Sequence, residues 1–407
     1  MELFKASAQW ANRPSDERFW DLAEMEVAAL KAQKHGIVKE MPINRLKIRA
    51  HADGKGLGII GSNGAEANFS HFSFGQFCSF IAPFDGERQQ KRICPETMKR
   101  FPAAKVADLV NYDLERCDRT TQVLWESFGV GQTKARAFQT PDYSRIWNAE
   151  AIQTLKMLQD NGWVIPPARP NGNESSSRIR LATEADVSKN KNMGGGLSVN
   201  VGDEIAPAGL YMGDKDMFAF MVNESRPING GGKSPLYRGF FFENSEVGQK
   251  SYKIMTFLYN SVCGNHIVWG ASKVSEVRVI HVGNAVGRAA EAIKVQLREY
   301  SDASASDLEL KIKNAKTIVF GKTKDEVVDT LYQRDMATRK ALMAAFDAAV
   351  EHPEDGGDCD PKSAWGMAQG FTRMSQAQPF MDKRIELDRI AGRILNLATN
   401  NKALVMA

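Results

Sequence analysis

The chain has little of what metal or thiol chemistry requires. Five cysteines (Cys78, Cys94, Cys117, Cys263, Cys359) are scattered through 407 residues, and no two form a C-x-x-C pair. A disulfide framework and a zinc ribbon are therefore not indicated, and a reducing compartment fits. There are six histidines and no H-x-x-x-H pair, which gives metallohydrolase chemistry no support. Neither a metal nor a cofactor is expected. No apolar run approaches the roughly 18–20 residues of a bilayer span. The first twenty residues lack the apolar core of a secretory signal. A soluble protein of the cytoplasm, without a membrane partner, is expected. Charge of one sign is also scarce: 53 Lys and Arg against 49 Asp and Glu leave a net +4. Such interspersed charge is that of an ordinary solvated surface, and it permits a nucleic-acid partner without demanding one.

Hydrophobic residues make up 43% of the chain, enough to bury one large core or two ordinary ones. Residues 15–34 have apolar positions at helical spacing (Phe19, Leu22, Met25, Ala29), with Ser15 as the expected N-cap. Residues 43–84 then switch to short alternating strands between Gly, Asn and Asp turns, and helical spacing returns from Phe74. A helix is expected to end at the Asn161-Gly162 stop signal. Loops or linkers fall at 166–176, 189–198 and 229–235. Between them lie strand-like runs with hairpin-length links and no intervening helix, which excludes a doubly wound sheet. Beyond residue 285 the spacing is helical over 285–300, 304–316, 324–350, 362–378 and 381–398. The expected fold class is α+β, a large mainly antiparallel sheet flanked by N-terminal and C-terminal helices. The corresponding regions are 1–133 (strands and helices), 134–284 (central sheet) and 285–407 (helices).

Several motifs have plain explanations. Gly321-Lys322-Thr323 resembles a phosphate loop, but Lys316 occupies the position of that motif's first glycine. Thr323 and Glu326 read better as a capping box. Gly54, Gly56 and Gly58 lead into more strand-like sequence, so a glycine-rich hairpin is expected rather than a dinucleotide fingerprint. The acidic stretch 352–361 lacks the ligand spacing of a calcium loop. Trp365, Ala368, Phe371 and Ser375 share a helix face suited to packing.

Two polar knots interrupt the strand-like stretch 238–281: Asn244-Ser245-Glu246-Val247-Gly248 and Cys263-Gly264-Asn265-His266. Asn244, Ser245, Glu246, Cys263, Asn265, His266 and His281 form the candidate polar site. Cys263 and His266 stand three apart, which on an extended chain sends them to opposite faces, so they are a poor nucleophile–base pair. An enzyme would need Glu246, Asn265, His266 and His281 to converge, and no catalytic residue is assigned.

Basic and aromatic residues are interleaved on and around the strands: Arg178, Arg180, Tyr237, Arg238, Lys250, Tyr252, Lys253, Tyr259, Trp269, Lys273 and Arg278. Cations that neutralise phosphates, beside rings that stack on bases, suit a single strand of nucleic acid. Tyr237, Tyr252 and Trp269 are the expected stacking residues.

The knots 243–248 and 262–270, with the segment 280–285, resemble the phage- and plasmid-encoded proteins gathered under domain of unknown function 932. Stretches within 73–114, 142–150 and 363–395 are similar to them too, so the resemblance runs from about residue 70 to 400. Where the commoner family form reads Cys-x-Asn-Gly, this chain has Asn265-His266. The resemblance implies a mobile-element setting in a bacterial cytoplasm and supplies no reaction. The expected function is therefore non-enzymatic binding of single-stranded DNA or other nucleic acid in recombination, replication or DNA protection, by a homo-oligomer. The alternative is a protein that inhibits or decoys a host defence protein.

Overall fold

The computed structural model describes residues 15–61, 64–82, 84–85, 88–89, 93, 97–129, 133–159, 161–165, 179–187, 200–207, 209–229, 236–260, 265–267, 276–351, 360–378 and 381–400. The fold is α+β, and two sheets dominate it. The larger sheet has eight strands, all antiparallel. Its centre is the meander Met217–Ile228, Leu236–Asn244 and Tyr252–Asn260. The smaller sheet has six strands in the order Gly36–Pro42, Thr120–Ser127, Thr133–Gln139, Glu66–Phe69, Leu57–Ile60 and Lys47–Ala50. One junction in it, Glu66–Phe69 beside Thr133–Gln139, is parallel. The expected boundary at 133/134 thus falls at a strand that continues the smaller sheet.

The meander is apolar on both faces. Met217, Ala219, Met221, Phe240 and Phe242 point into a core with the helices Leu22–His35, Asn148–Gln159 and Ala285–Asp302. Phe218, Phe220, Val222, Phe241 and Phe257 form a second cluster on the other side, joined by Ile385 of the helix Met381–Asn400. Successive strand residues face opposite ways, so burial on both sides needs an unbroken apolar run. All nine residues of Leu236–Asn244 are buried.

The helices Ala305–Thr317, Lys324–Tyr332, Arg339–Glu351, Ala364–Gln376 and Met381–Asn400 share a further core. The helical spacing over 324–350 is interrupted at 333–338, where Asp335 has a φ of 55°. The expected capping box is half formed: Thr323 accepts from the Glu326 amide at 3.3 Å, but Glu326 accepts from the amide of Lys322, one residue before the cap, at 2.7 Å. The glycine-rich hairpin pairs Lys47–Ala50 with Leu57–Ile60. Ser15 is not a helix N-cap. Residues 15–17 form a short 3-10 turn, and Asp21 caps Leu22–His35 by accepting from the Glu24 amide at 2.8 Å. Phe19 is spent on a strand before that helix. The acidic stretch 352–359 lies outside the described residues.

Candidate functional site

The knot Asn244–Gly248 closes the central strand of the larger sheet against the smaller one. The meeting depends on a bulge: Leu124 pairs with Ala137 and Trp125 with Ala135, leaving Arg136 as the extra residue of its strand. A bulged residue is re-aimed out of the regular alternation. Arg136 Nη1 reaches Glu246 Oε2 at 3.1 Å, with Glu126 at 3.9 Å, and Arg136 and Glu246 are 4% and 2% exposed. Burial works against the Arg136 charge, but Glu246, Glu126 and Asp214 more than offset it and raise its pKa.

Most other polar atoms of the knot are similarly engaged, with Asn244 Oδ1 buried and unpartnered among the described residues. Glu246 Oε1 accepts from the Asn148 amide at 2.9 Å, and the Glu246 carbonyl accepts from Arg145. Arg145 also donates to Gln139 at 2.6 Å and Gln122 at 3.1 Å, and burial brings its pKa down to about 10. Asn244 Nδ2 donates to the Ile146 carbonyl at 3.0 Å and to Asn148 Oδ1 at 2.8 Å. The Ser245 hydroxyl donates to the Lys215 carbonyl. Tyr143 donates to the Ser245 carbonyl at 2.9 Å, and its ring lies parallel to His281 at 5.1 Å. Both Glu246 oxygens are committed to donors, so the side chain is a strut rather than a free base. Neither ring nitrogen of buried His281 has a hydrogen-bond partner among the described residues. The Asn244–Gly248 knot is thus a buried polar joint.

Beside the joint opens a cleft of about 540 Å³, lined by Phe72, Gln76, Phe80, Arg119, Gln139 and Lys215 among others. That volume is in the range of small-ligand sites, about 300–1,000 Å³. The helix His71–Ile81 brings Phe72, Gln76 and Phe80; Ser70 caps it by accepting from the Ser73 amide at 3.1 Å. Gln76 is held at both ends of its amide, donating to the Val247 carbonyl at 2.7 Å and accepting from the Phe138 amide at 3.1 Å. The Arg119 guanidinium lies 4.2 Å over the Phe80 ring, and the Lys215 ammonium lies 5.8 Å from the Phe72 ring centre. Two cations, two rings and two amides therefore line one recess.

Residues expected to meet nucleic acid fare unevenly. Tyr237 and Tyr252 are 0% and 2% exposed in the cores of the larger sheet, so neither can stack on a base. The larger sheet is covered on both sides there and has no open face at those positions. Arg238, 2% exposed, donates to the Ala303 carbonyl at 2.6 Å and so caps the helix Ala285–Asp302 instead of a phosphate. Lys253 pairs with Glu243 at 2.6 Å, and Arg180 with Asp186 at 2.6 Å. Arg278 is exposed and donates to Ser251 at 3.0 Å, while Lys250 is half-buried. Arg178, Cys263, Trp269 and Lys273 lie outside the described residues, as do the side chains of Tyr259, Asn265 and His266. Of the candidate polar site, the structure brings Asn244, Ser245 and Glu246 together, with His281 adjoining through Tyr143.

The knots' family resemblance has a counterpart in a direct comparison. Residues 190–384 match the model of a family described as Domain of unknown function (DUF932). No curated protein and no solved structure matches. The matched span carries Lys215, the Asn244–Gly248 knot and His281. Gln76, Arg119, Arg136 and Gln139, which complete the joint and the cleft, precede it. Sequence reasoning missed the cleft residues because Phe72 and Gln76 sit in a helix whose apolar spacing reads as packing. Among the described residues, no three His, Cys, Asp or Glu side chains gather as a metal site requires, and no helix is long and apolar enough to cross a membrane.

Proposed function

We propose that this protein binds single-stranded nucleic acid without transforming it, with the cleft beside the polar joint receiving an unpaired nucleotide. The observation that carries this reading is the lining of the cleft: Arg119 and Lys215 stand beside the rings of Phe72 and Phe80. Cations hold phosphate, and the half-buried Phe72 ring and the free face of the Arg119 guanidinium, which rests on buried Phe80, stack on a base. Glu246 is tied on both oxygens, which favours binding over chemistry. The setting is a phage or other mobile element in a bacterial cytoplasm, where such binding serves recombination, replication or protection of DNA.

Fluorescence anisotropy with a labelled single-stranded oligonucleotide tests this. Wild-type protein should bind at low salt and weaken as salt rises, because phosphate contacts release counterions. Arg119→Met with Lys215→Met should cost about tenfold or more and flatten the salt dependence. Absent affinity at low salt, or affinity indifferent to salt, would overturn the reading. Binding to a host protein that persists after nuclease treatment, with no oligonucleotide affinity, would favour a defence decoy instead.

A further inference from the structure

We infer that Ser245 is a positioning residue for the cleft, acting through Lys215. This rests on the nucleic-acid reading above and adds what sets the cleft's geometry. The cleft has two halves of different origin. Phe72, Gln76, Phe80, Arg119 and Gln139 come from the smaller sheet and its neighbouring helix, whereas Lys215 sits in the turn between Leu210–Met212 and Met217–Ile228 of the larger sheet. A cation on a surface turn holds a phosphate well only if that turn is fixed relative to the opposite wall.

The joint supplies that fixing. The Ser245 hydroxyl donates its proton to the Lys215 carbonyl and accepts from the amides of Val247 at 3.3 Å and Gln249 at 3.0 Å. One donor and two acceptor sites are the whole capacity of a hydroxyl. The preceding residue of the turn is gripped from the smaller sheet: Arg136 Nη2 donates to the Asp214 carbonyl at 3.2 Å, and Lys134 pairs with the Asp214 carboxylate at 3.1 Å. Gln76 on the opposite wall donates to the Val247 carbonyl, two residues from Ser245. Both walls are therefore referenced to the segment 245–247. Ser245 is wholly buried and does not line the cleft, so its influence on a bound strand must pass through the Lys215 backbone.

A double-mutant cycle separates this from a merely structural serine. Wild type, Ser245→Ala, Lys215→Met and the double variant would be titrated by anisotropy with a labelled single-stranded oligonucleotide at several salt concentrations. Lys215→Met should weaken binding about five- to tenfold and lower the salt slope by about 0.7, the value of one phosphate contact on a single strand. Ser245→Ala should weaken binding several-fold with a reduced slope, and the double variant should bind no worse than Lys215→Met alone. Should Ser245→Ala fail to fold, Ser245→Cys, similar in volume with a weaker donor, takes its place in the cycle. Losses that multiply in the double variant, or a Ser245 variant binding with wild-type affinity and slope, would overturn the inference while the binding reading stands. Wild type that does not bind at all removes both, and an inert Lys215→Met removes the assignment of the cleft.

Discussion

At the scale of single residues, burial has converted apparent surface chemistry into internal support. Arg238 looks like a phosphate ligand in the sequence, yet its guanidinium closes the C-terminal end of the helix Ala285–Asp302, where a cation suits the helix dipole. Arg238→Met should therefore lower unfolding stability by about 1–3 kcal/mol in urea titrations and leave oligonucleotide affinity at the wild-type value. A loss of affinity at unchanged stability would return it to the surface role. His281 offers a second test. Burial, with Arg145 adding to it, brings its pKa down to about 4. In the unfolded chain a histidine takes up its proton near 6.5. Between those values the unfolded state binds more protons, so stability is whole above about pH 6.5 and falls as pH drops towards 4. His281→Phe keeps an aromatic ring against Tyr143 and removes the titration. The unfolding free energies of wild type and variant, from urea titrations, should draw apart by about 2–3 kcal/mol in favour of the variant between pH 7 and 4. Parallel pH curves would show that His281 is not held neutral.

At the scale of elements, the helices and the hairpin were legible because their signals are local. Thr323 with Glu326, and Gly54 to Gly58, declare a cap and a turn within a few residues. Gly162, at a φ of 82°, lies just beyond the helix Asn148–Gln159. The second sheet and the joint were not legible, and the reason is distance along the chain. Glu246 finds Arg136, Arg145 and Asn148 roughly a hundred residues away, and a bulge aims the first of these. No short-range pattern records such partners. The face carrying Trp365, Ala368, Phe371 and Ser375 was legible as packing, and all four are buried. What the pattern did not show is how closely that helix approaches its neighbour. A Cβ placed on Gly370 would stand 1.9 Å from the Ala345 carbonyl oxygen, so Ala364–Gln376 and Arg339–Glu351 touch through backbone. Gly370→Ala must part the two helices and should cost about 3 kcal/mol, read as a lowered thermal midpoint. An unchanged midpoint would mean that the helices are not so closely apposed.

At the scale of the molecule, the two sheets have separate hydrophobic cores and meet through the polar joint and a small apolar cluster of Val247, Leu124 and Ala137. Phe74, Phe77, Val106 and Val123 belong to the smaller sheet's core, while Met221, Phe240, Ile152 and Ile293 belong to the larger sheet's. Glu246 spans the junction, taking Arg136 from one side and the Asn148 amide from the other. Removing one member of a buried ion pair costs about 3–5 kcal/mol when the other is left unpaired, and less here, because Arg136 keeps Glu126 at 3.9 Å. In Glu246→Ala that cost falls on Arg136, inside the smaller sheet, and should be relieved when that sheet opens. Hydrogen exchange followed by mass spectrometry locates the loss. Amides of Thr120–Ser127 and Thr133–Gln139 should lose protection well before those of Leu236–Asn244 and Tyr252–Asn260, so that a shared opening in the wild type becomes two in the variant. Equal loss across both sheets would mean that they unfold as one unit whatever the state of the joint. The coupling of the cleft's two walls would then have to come from the apolar contact of Val247 with Leu124 and Ala137.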